Sequence, residues 1–159
     1  MKLYHGSNIE VNNPKIRPNL RALDFGAGFY LTSSEQQAAK WAKTVAKRRG
    51  VGNATLNCYI FDEGSLEKIT ILRFSGATAE WLDFVVNNRK ELPSVNHYDL
   101  IIGPVANDAT LQVLDDYMDG RYTKEQAIER LLPQKLTDQY AFLTDSALKL
   151  LLFERSELL

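Results

Sequence analysis

Few residues of this chain have types suited to chemistry, and they are spread over its whole length. His5 follows a short apolar start and is next to Gly6 and Ser7. An imidazole titrates near neutral pH, but a single histidine is more often a structural residue than a catalytic one. Tyr30 is one of seven tyrosines and Gln139 is an isolated amide. Taken singly, His5 and Tyr30 are more simply interpreted as structural or core residues, and Gln139 as a surface amide.

Two glycine-containing motifs do not match the sites they resemble. Asp24-Phe25-Gly26 occurs in kinases, but a kinase needs a phosphate loop, a strand lysine and a catalytic loop upstream of it. Gly26-Ala27-Gly28 resembles half of a dinucleotide fingerprint, but it precedes a strand, whereas that fingerprint follows a strand and opens a helix. What these glycines do permit is a positive φ and a close approach of the backbone to a ligand.

The cysteine and histidine content predicts neither a disulfide framework nor a metal site. Cys58 is the only cysteine, and His97 lies in a turn ahead of a strand, so no cluster has metal-ligand spacing. Asn107 and Asp108 are first of all candidates for a helix cap, although polar groups at the mouth of a strand-to-helix loop are often available to a ligand as well.

Length and composition indicate one globular domain over residues 1–159, with 45% apolar and 25% charged side chains. No apolar run approaches the roughly 20 residues of a membrane helix, and Met1–His5 lacks a secretory signal, so we expect a cytoplasmic protein without membrane contact. The net charge of -1 gives no overall positive field for nucleic acid. The basic stretch Lys40–Arg49 is most simply a solvated helix face, with a local nucleic-acid patch as the alternative.

Turn residues and hydrophobic spacing predict the elements that must position these residues. A long loop over Asn12–Gly28 separates the first two strands, and loops of this length tend to be functional. Ser33 or Ser34, with Gln36 or Gln37 three residues later, predicts a capped helix. The predicted strands are Lys2–His5, Phe29–Thr32, Thr55–Phe61, Lys68–Phe74, Tyr98–Val105, Gln139–Leu143 and Leu151–Arg155, with Gly6–Asn8 as a turn and a short connection between the third and the fourth. The predicted helices are Glu35–Arg48, Thr78–Lys90, one from Asn107 or Asp108 to Met118, one from Thr123 with its partner Gln126 to a point before Pro133, and a turn or two over Asp145–Leu150.

Strands and helices therefore mix irregularly, which favours an α+β fold over a doubly wound parallel sheet. Four blocks, Leu3–Ser7, Asp24–Thr32, Tyr98–Asp108 and Asp138–Thr144, together resemble the ADP-ribosyltransferase superfamily of the diphtheria-toxin and poly(ADP-ribose) polymerase type. The resemblance is closest to small bacterial ADP-ribosyltransferase-like domains that are often encoded beside a short antitoxin-like partner. It implies a split, curved β-sheet with flanking helices, whose cleft holds NAD.

The resemblance also implies which residues contact NAD. His5 would bind ribose hydroxyls, the backbone of Gly6 would pair with the nicotinamide carboxamide, and Tyr30 would stack on the nicotinamide ring. The loop Asn12–Gly28 would lie over the pyrophosphate, where the forked guanidinium of Arg17 or Arg21 suits a phosphate. The implied NAD-binding set comprises His5, Gly6, Ser7, Arg17, Arg21, Gly28, Tyr30 and Asn107, and the implied catalytic set comprises His5, Tyr30 and Gln139.

Gln139 stands where many members of the superfamily have a glutamate that binds the ribose 2'-hydroxyl. A neutral amide can orient that hydroxyl but cannot act as a base. Asp138 is an alternative carboxylate, but successive strand side chains point to opposite faces, and we assign Gln139 to the cleft. On this interpretation Gln139→Glu should raise activity or change the acceptor.

The activity that the resemblance implies is transfer of ADP-ribose from NAD to a protein or nucleic-acid acceptor, without a metal, as a toxin held in check by an antitoxin protein. Nicotinamide is a good leaving group, so the site needs mainly a dry pocket and groups that stabilise an oxocarbenium-like ribose. Two alternatives stay open: an NAD glycohydrolase and a non-enzymatic module with a degenerate ligand site. An RNA 2'-phosphotransferase would need several basic residues converging on the cleft, which the sequence does not indicate.

Overall fold

The computed structural model describes residues 1–17, 23–90, 97–106, 108–134 and 136–159, and it has the predicted α+β character, with two separate sheets. The strands are β1 (Lys2–Ser7), β2 (Phe29–Leu31), β3 (Thr55–Phe61), β4 (Ile71–Arg73), β5 (Leu100–Pro104), β6 (Asp138–Phe142) and β7 (Leu151–Leu158). The helices are α1 (Glu35–Arg49), α2 (Ala79–Arg89), α3 (Asp108–Met118), α4 (Lys124–Leu131) and α5 (Asp145–Leu148). Among the described residues, no helix is both long and apolar enough to cross a bilayer.

The first sheet has the order β1-β3-β7, and both of its strand pairs are antiparallel. The second sheet has the order β2-β6-β5-β4, in which only the pair β4–β5 is parallel. The two strands that were predicted to be joined by a short connection at residues 62–65 lie in different sheets, and the segment between them is longer than predicted, from residue 62 to residue 70. A 3₁₀ helix over Glu63–Lys68 joins them, and the Asp62 side chain caps it by accepting from the amide of Gly64.

Two hydrophobic clusters cover the two faces of the second sheet. One cluster holds residues from both sheets, including Leu3, Tyr59 and Phe142, and fills the space between them. The other lies between the second sheet and helices α2, α3 and α4, with Trp81 and Leu114 fully buried in it. Because side chains alternate along a strand, β2 points Phe29 and Leu31 to the first cluster and Tyr30 to the second.

The helix N-caps that the sequence predicted are present in α1 and α4. The Ser34 side chain accepts from the amide of Gln37 at the start of α1. Thr123 and Gln126 form the predicted reciprocal capping box of α4. These signals depend on neighbours in the sequence, and the structure confirms them.

Some strands are longer or shorter than predicted, because their ends depend on the strands with which they pair. The turn predicted over Gly6–Asn8 is wrong in part, since β1 continues to Ser7, which pairs with Thr55. β7 runs to Leu158 rather than Arg155, because it pairs along the whole of β3. β4 covers only three of the residues predicted over Lys68–Phe74, since the 3₁₀ helix takes the first of them.

Candidate functional site

Among the residues that the structure describes, the two sheets meet at one antiparallel bridge, between Tyr4 and Thr32. The amide of Tyr4 donates to the Thr32 carbonyl at 2.8 Å, and the amide of Thr32 donates back to the Tyr4 carbonyl at 3.0 Å. Beyond this bridge, no backbone hydrogen bond joins the described residues of β1 to those of β2, and each strand is paired only on its other edge, β1 with β3 and β2 with β6. His5 and Gly6 on β1 and Tyr30 on β2 lie at this split.

The His5 side chain spans the split. Its Nδ1 lies 2.8 Å from the Tyr30 carbonyl oxygen, which can only accept, so Nδ1 carries the proton. Burial lowers the pKa of the imidazole below its usual 6.5; the bond to Tyr30 opposes this effect and the charge of Arg49 adds to it. The ring packs on Phe29 with centroids 4.4 Å apart. His5 is therefore neutral at pH 7, and its Nε2 is a hydrogen-bond acceptor.

The backbone of Gly6 faces the split without a partner on β2. In an antiparallel ladder, the amide and the carbonyl of one residue both point to the same edge of the strand. The amide and the carbonyl of the residue two positions later point to that edge as well. Those of Tyr4 point to Thr32, so those of Gly6 also point toward β2. The register would pair Gly6 with Tyr30, but no backbone hydrogen bond joins these two described residues. A Cβ here would lie 2.1 Å from the Ala38 carbonyl oxygen, so α1 excludes any larger residue.

Tyr30 is tied by its hydroxyl to the segment that precedes β2. The hydroxyl donates to the Gly26 carbonyl at 2.5 Å and accepts from the amide of Phe25 at 3.1 Å. Burial raises the pKa of this phenol well above its usual range. Gly26 has the predicted positive φ, at 95°, whereas Gly28 lies close to β6, where a Cβ would be 2.8 Å from the Phe142 carbonyl oxygen. The aromatic ring of Tyr30 thus has a fixed position beside the split.

Gln139 is buried, with 6% of its surface exposed, so its reading as a surface amide is wrong. Tyr30 pairs with Ala141, and Gln139 lies two residues before Ala141 on β6. Because side chains alternate along a strand, Gln139 and Tyr30 therefore lie on the same face of the second sheet. Its Nε2 donates to Asp24 Oδ2 at 3.3 Å and to the Pro104 carbonyl at 3.2 Å.

Asp138 points to the other face of the sheet, as strand alternation predicts. Its carboxylate accepts from the amide of Ser33 at 2.9 Å, from the Ser33 hydroxyl at 2.5 Å and from the Thr32 hydroxyl at 3.2 Å. These bonds fasten the start of β6 to the segment before α1. The carboxylate is fully engaged in that structural role.

Of the remaining predicted contact residues, the structure describes Ser7, next to Gly6 on β1, and Arg17. Ser7 is buried, and its hydroxyl has no hydrogen-bond partner among the described residues. Arg17 is exposed. Arg21 and Asn107 lie outside the described residues.

Two cavities have linings that do not include the three proposed catalytic residues. A groove of about 600 Å³ lies between Asn12–Ile16 and the region of α5, and a cavity of about 280 Å³ lies where β4 and β5 end, with Asp138 at its edge. His5, Tyr30 and Gln139 line neither of them. In the part of the chain that the structure describes, no three His, Cys, Asp or Glu side chains form a group that could hold a metal.

Sequence reasoning missed Asp24 and Arg89 as members of this site. Asp24 was dismissed with its motif, and Arg89 lies 65 residues further along the chain. In the structure the Arg89 guanidinium binds Asp24 at 2.5 and 2.9 Å. No local spacing pattern could have indicated this pair.

The fold and the site define an α+β protein in which two sheets meet at one bridge, with histidine, tyrosine and glutamine side chains near it. The chain belongs to the family described as protein of unknown function (DUF3990), whose model matches residues 1–153. No curated protein and no solved structure matches the chain significantly.

Proposed function

We propose that this protein is an NAD-dependent ADP-ribosyltransferase of the diphtheria-toxin and poly(ADP-ribose) polymerase type, with the two sheets as the halves of that fold's split sheet. The observation that carries the proposal is the split beside Gly6. There, one amide and one carbonyl point to the same side without a backbone partner on β2. The carboxamide of nicotinamide has the complementary acceptor and donor, and both can bind this backbone at once.

His5 and Tyr30 support the same placement of NAD. The neutral His5 imidazole presents Nε2 as an acceptor for a ribose hydroxyl, because Nδ1 is held by the Tyr30 carbonyl. The Tyr30 ring belongs to β2, whereas His5 belongs to β1, and it provides a flat face for stacking on nicotinamide. Its anchored hydroxyl limits rotation of the ring, which lowers the entropy cost of stacking.

The reaction needs little acid–base chemistry from the protein. The bond between ribose C1' and the pyridinium nitrogen breaks, its electron pair goes to that nitrogen, and neutral nicotinamide leaves. A nucleophile on the acceptor then forms a bond to C1' and releases its proton to solvent. We assign the Gln139 carbonyl oxygen to the ribose 2'-hydroxyl, where its partial negative charge stabilises the oxocarbenium-like state.

The acceptor that we propose is a protein or nucleic acid, and the setting is the cytoplasm, with an antitoxin protein as the inhibitory partner. An NAD glycohydrolase with the same site would transfer the ribosyl cation to water. These two activities differ only in the group that attacks C1', and they are separated by the fate of the ADP-ribose.

A non-enzymatic NAD-binding module is the second candidate, and the burial of Gln139 favours it. With 6% of its surface exposed and both amide protons engaged, Gln139 offers little to a substrate unless its oxygen faces the cleft. This candidate predicts NAD binding without release of nicotinamide.

The experiment is nicotinamide release from NAD labelled in the adenine ring, with purified protein and a cell lysate. We expect release together with label retained on macromolecules. His5→Ala and Tyr30→Ala should lower both signals, while Tyr122→Ala serves as a matched control, because the Tyr122 ring packs against Arg130 and is not one of the residues at the split. Release without labelled macromolecules would support the glycohydrolase, and binding without release would refute the enzyme.

A further inference from the structure

A buried carboxylate that the proposed reaction does not use lies against Gln139. Asp24 is 7% exposed, and four donors converge on it. Arg89 donates through Nε and Nη2 to Oδ1, and the amide of Ala106 and Nε2 of Gln139 donate to Oδ2 at 3.2 and 3.3 Å. Among the described partners there is no acceptor, so Asp24 acts only as an acceptor itself.

These contacts determine the orientation of the Gln139 side-chain amide, that is, the directions in which Nε2 and Oε1 point. Both neighbours of Nε2, the Asp24 carboxylate and the Pro104 carbonyl, can only accept hydrogen bonds. The Pro104 carbonyl also accepts from the indole of Trp81 at 3.0 Å, so it is held in place from a second side. An amide turned by 180° would place its oxygen against two acceptors and lose both bonds. Oε1 therefore points away from Asp24, and it has no partner among the described residues.

We propose that Asp24 is a positioning residue, which holds Gln139 so that the amide oxygen, and not the amide nitrogen, faces the NAD ribose. This proposal rests on the proposed function. A free glutamine presents a donor or an acceptor with similar ease, and a donor beside C1' would oppose the positive charge that develops there. Asp24 removes that alternative, and Gln139 then accepts from the 2'-hydroxyl as a carboxylate would.

Arg89 makes this arrangement possible in a buried position. A carboxylate without a partner would be costly to bury, and the guanidinium compensates its charge from the side opposite Gln139. The Asp24 carboxylate therefore acts through Gln139 and carries out no step of the reaction itself.

The first test measures the orientation without any substrate. In NMR spectra of the protein, the side-chain NH₂ signals of Gln139, assigned by their loss in Gln139→Ala, should exchange with deuterium at least about tenfold more slowly than those of Gln112. Gln112 is an internal reference because it also donates to a carboxylate, that of Asp116, but is exposed. Asp24→Asn should remove this protection. Rapid exchange of the Gln139 amide in the unmutated protein would overturn the proposal, whether or not the variant folds.

The second test is a double-mutant cycle on nicotinamide release, with Asp24→Asn, Gln139→Ala and their combination. We expect Asp24→Asn to lower kcat/KM about ten- to a hundredfold, the range seen for partners that orient metal ligands. The combination should be no worse than Gln139→Ala alone, because Asp24 acts through that residue. If the losses of kcat/KM in the two single variants instead multiplied in the combination, Asp24 would have only a general structural role, and the proposal would be overturned.

Asp116→Asn is the matched control. Asp116 is 9% exposed and accepts from Arg121 and Gln112, so it also combines a buried carboxylate with an arginine and a glutamine. It should leave kcat/KM unchanged at a similar cost in thermal stability. If the unmutated protein released no nicotinamide at all, the proposed function would fail, while the exchange measurement would still decide the orientation of Gln139.

Discussion

Gln139→Glu is the substitution for which the structure reverses the expectation from the sequence. The resemblance favours a gain of activity, since it restores the glutamate of related enzymes. In the structure, however, the change replaces Nε2 with an oxygen that lies 3.3 Å from Asp24 Oδ2 and 3.2 Å from the Pro104 carbonyl oxygen. For an ionised glutamate, two donated hydrogen bonds become repulsive contacts.

The magnitude follows from these distances. Two unit charges about 3.3 Å apart repel by about 5 kcal/mol at an effective dielectric constant of about 20, and the positive charge of Arg89 offsets part of this. Loss of the two hydrogen bonds adds about 1 to 3 kcal/mol. The introduced carboxyl therefore stays protonated in the folded protein at neutral pH, which means that its pKa is raised relative to the unfolded chain.

The sign of the pH effect follows from that raised pKa. The folded variant retains a proton that the unfolded variant has lost, so raising the pH favours unfolding. We expect the free energy of unfolding of Gln139→Glu, relative to the unmutated protein, to fall by about 3 kcal/mol between pH 5 and pH 8. Urea denaturation at the two pH values measures this difference, and nicotinamide release should decrease rather than increase.

Gln112→Glu is the matched control for this prediction. Gln112 donates to Asp116 at 3.1 Å in the same amide-to-carboxylate arrangement, but it is exposed, so solvent should reduce the effect to about 1 kcal/mol or less. A Gln139→Glu variant with unchanged pH dependence, or with raised turnover, would refute the assignment of Nε2 to Asp24.

Other substitutions test the split and its aromatic and imidazole groups. Gly6→Ala should destabilise the fold by at least about 1 to 3 kcal/mol in thermal or urea unfolding, since its Cβ would meet the Ala38 carbonyl; Gly76→Ala, which meets nothing within 4 Å, should not. Tyr30→Ala should weaken NAD affinity in calorimetry by about 1 kcal/mol or more through lost stacking, and equal affinity would argue against NAD at this position. Because the pKa of His5 is lowered in the folded state, stability should fall as the pH drops below 6.5, and this fall should disappear in urea titrations of His5→Gln.

The sequence predicted the parts of the fold whose causes are local. The starts of α1 and α4 follow from side chains that bind amides three residues away, as at Ser34 and Thr123. The placement of Gln139 and Asp138 on opposite faces follows from strand alternation alone. Such features need no knowledge of which segments meet in space.

Features that depend on distant partners could not be predicted. The division of β3 and β4 between two sheets is decided by β7 and β5, which follow later in the chain. The burial of Gln139 depends on Asp24, 115 residues earlier, and that carboxylate depends in turn on Arg89. A hydrogen bond between such positions leaves no spacing pattern in one sequence.

The strand order has a consequence for synthesis of the protein. β3 is the central strand of the first sheet, and it receives β1 early in translation but β7 only after residue 151 has emerged. Gln139 lies on β6, the strand that joins β2 to β5 in the second sheet, so that sheet cannot be completed cotranslationally before residues 138–142 have been synthesised. Because domains form from the amino terminus as the ribosome proceeds, the nascent chain carries His5 and Tyr30 long before it has the strand that accompanies them. The arrangement of His5, Tyr30 and Gln139 described above therefore cannot form on a nascent chain from which β6 is still missing.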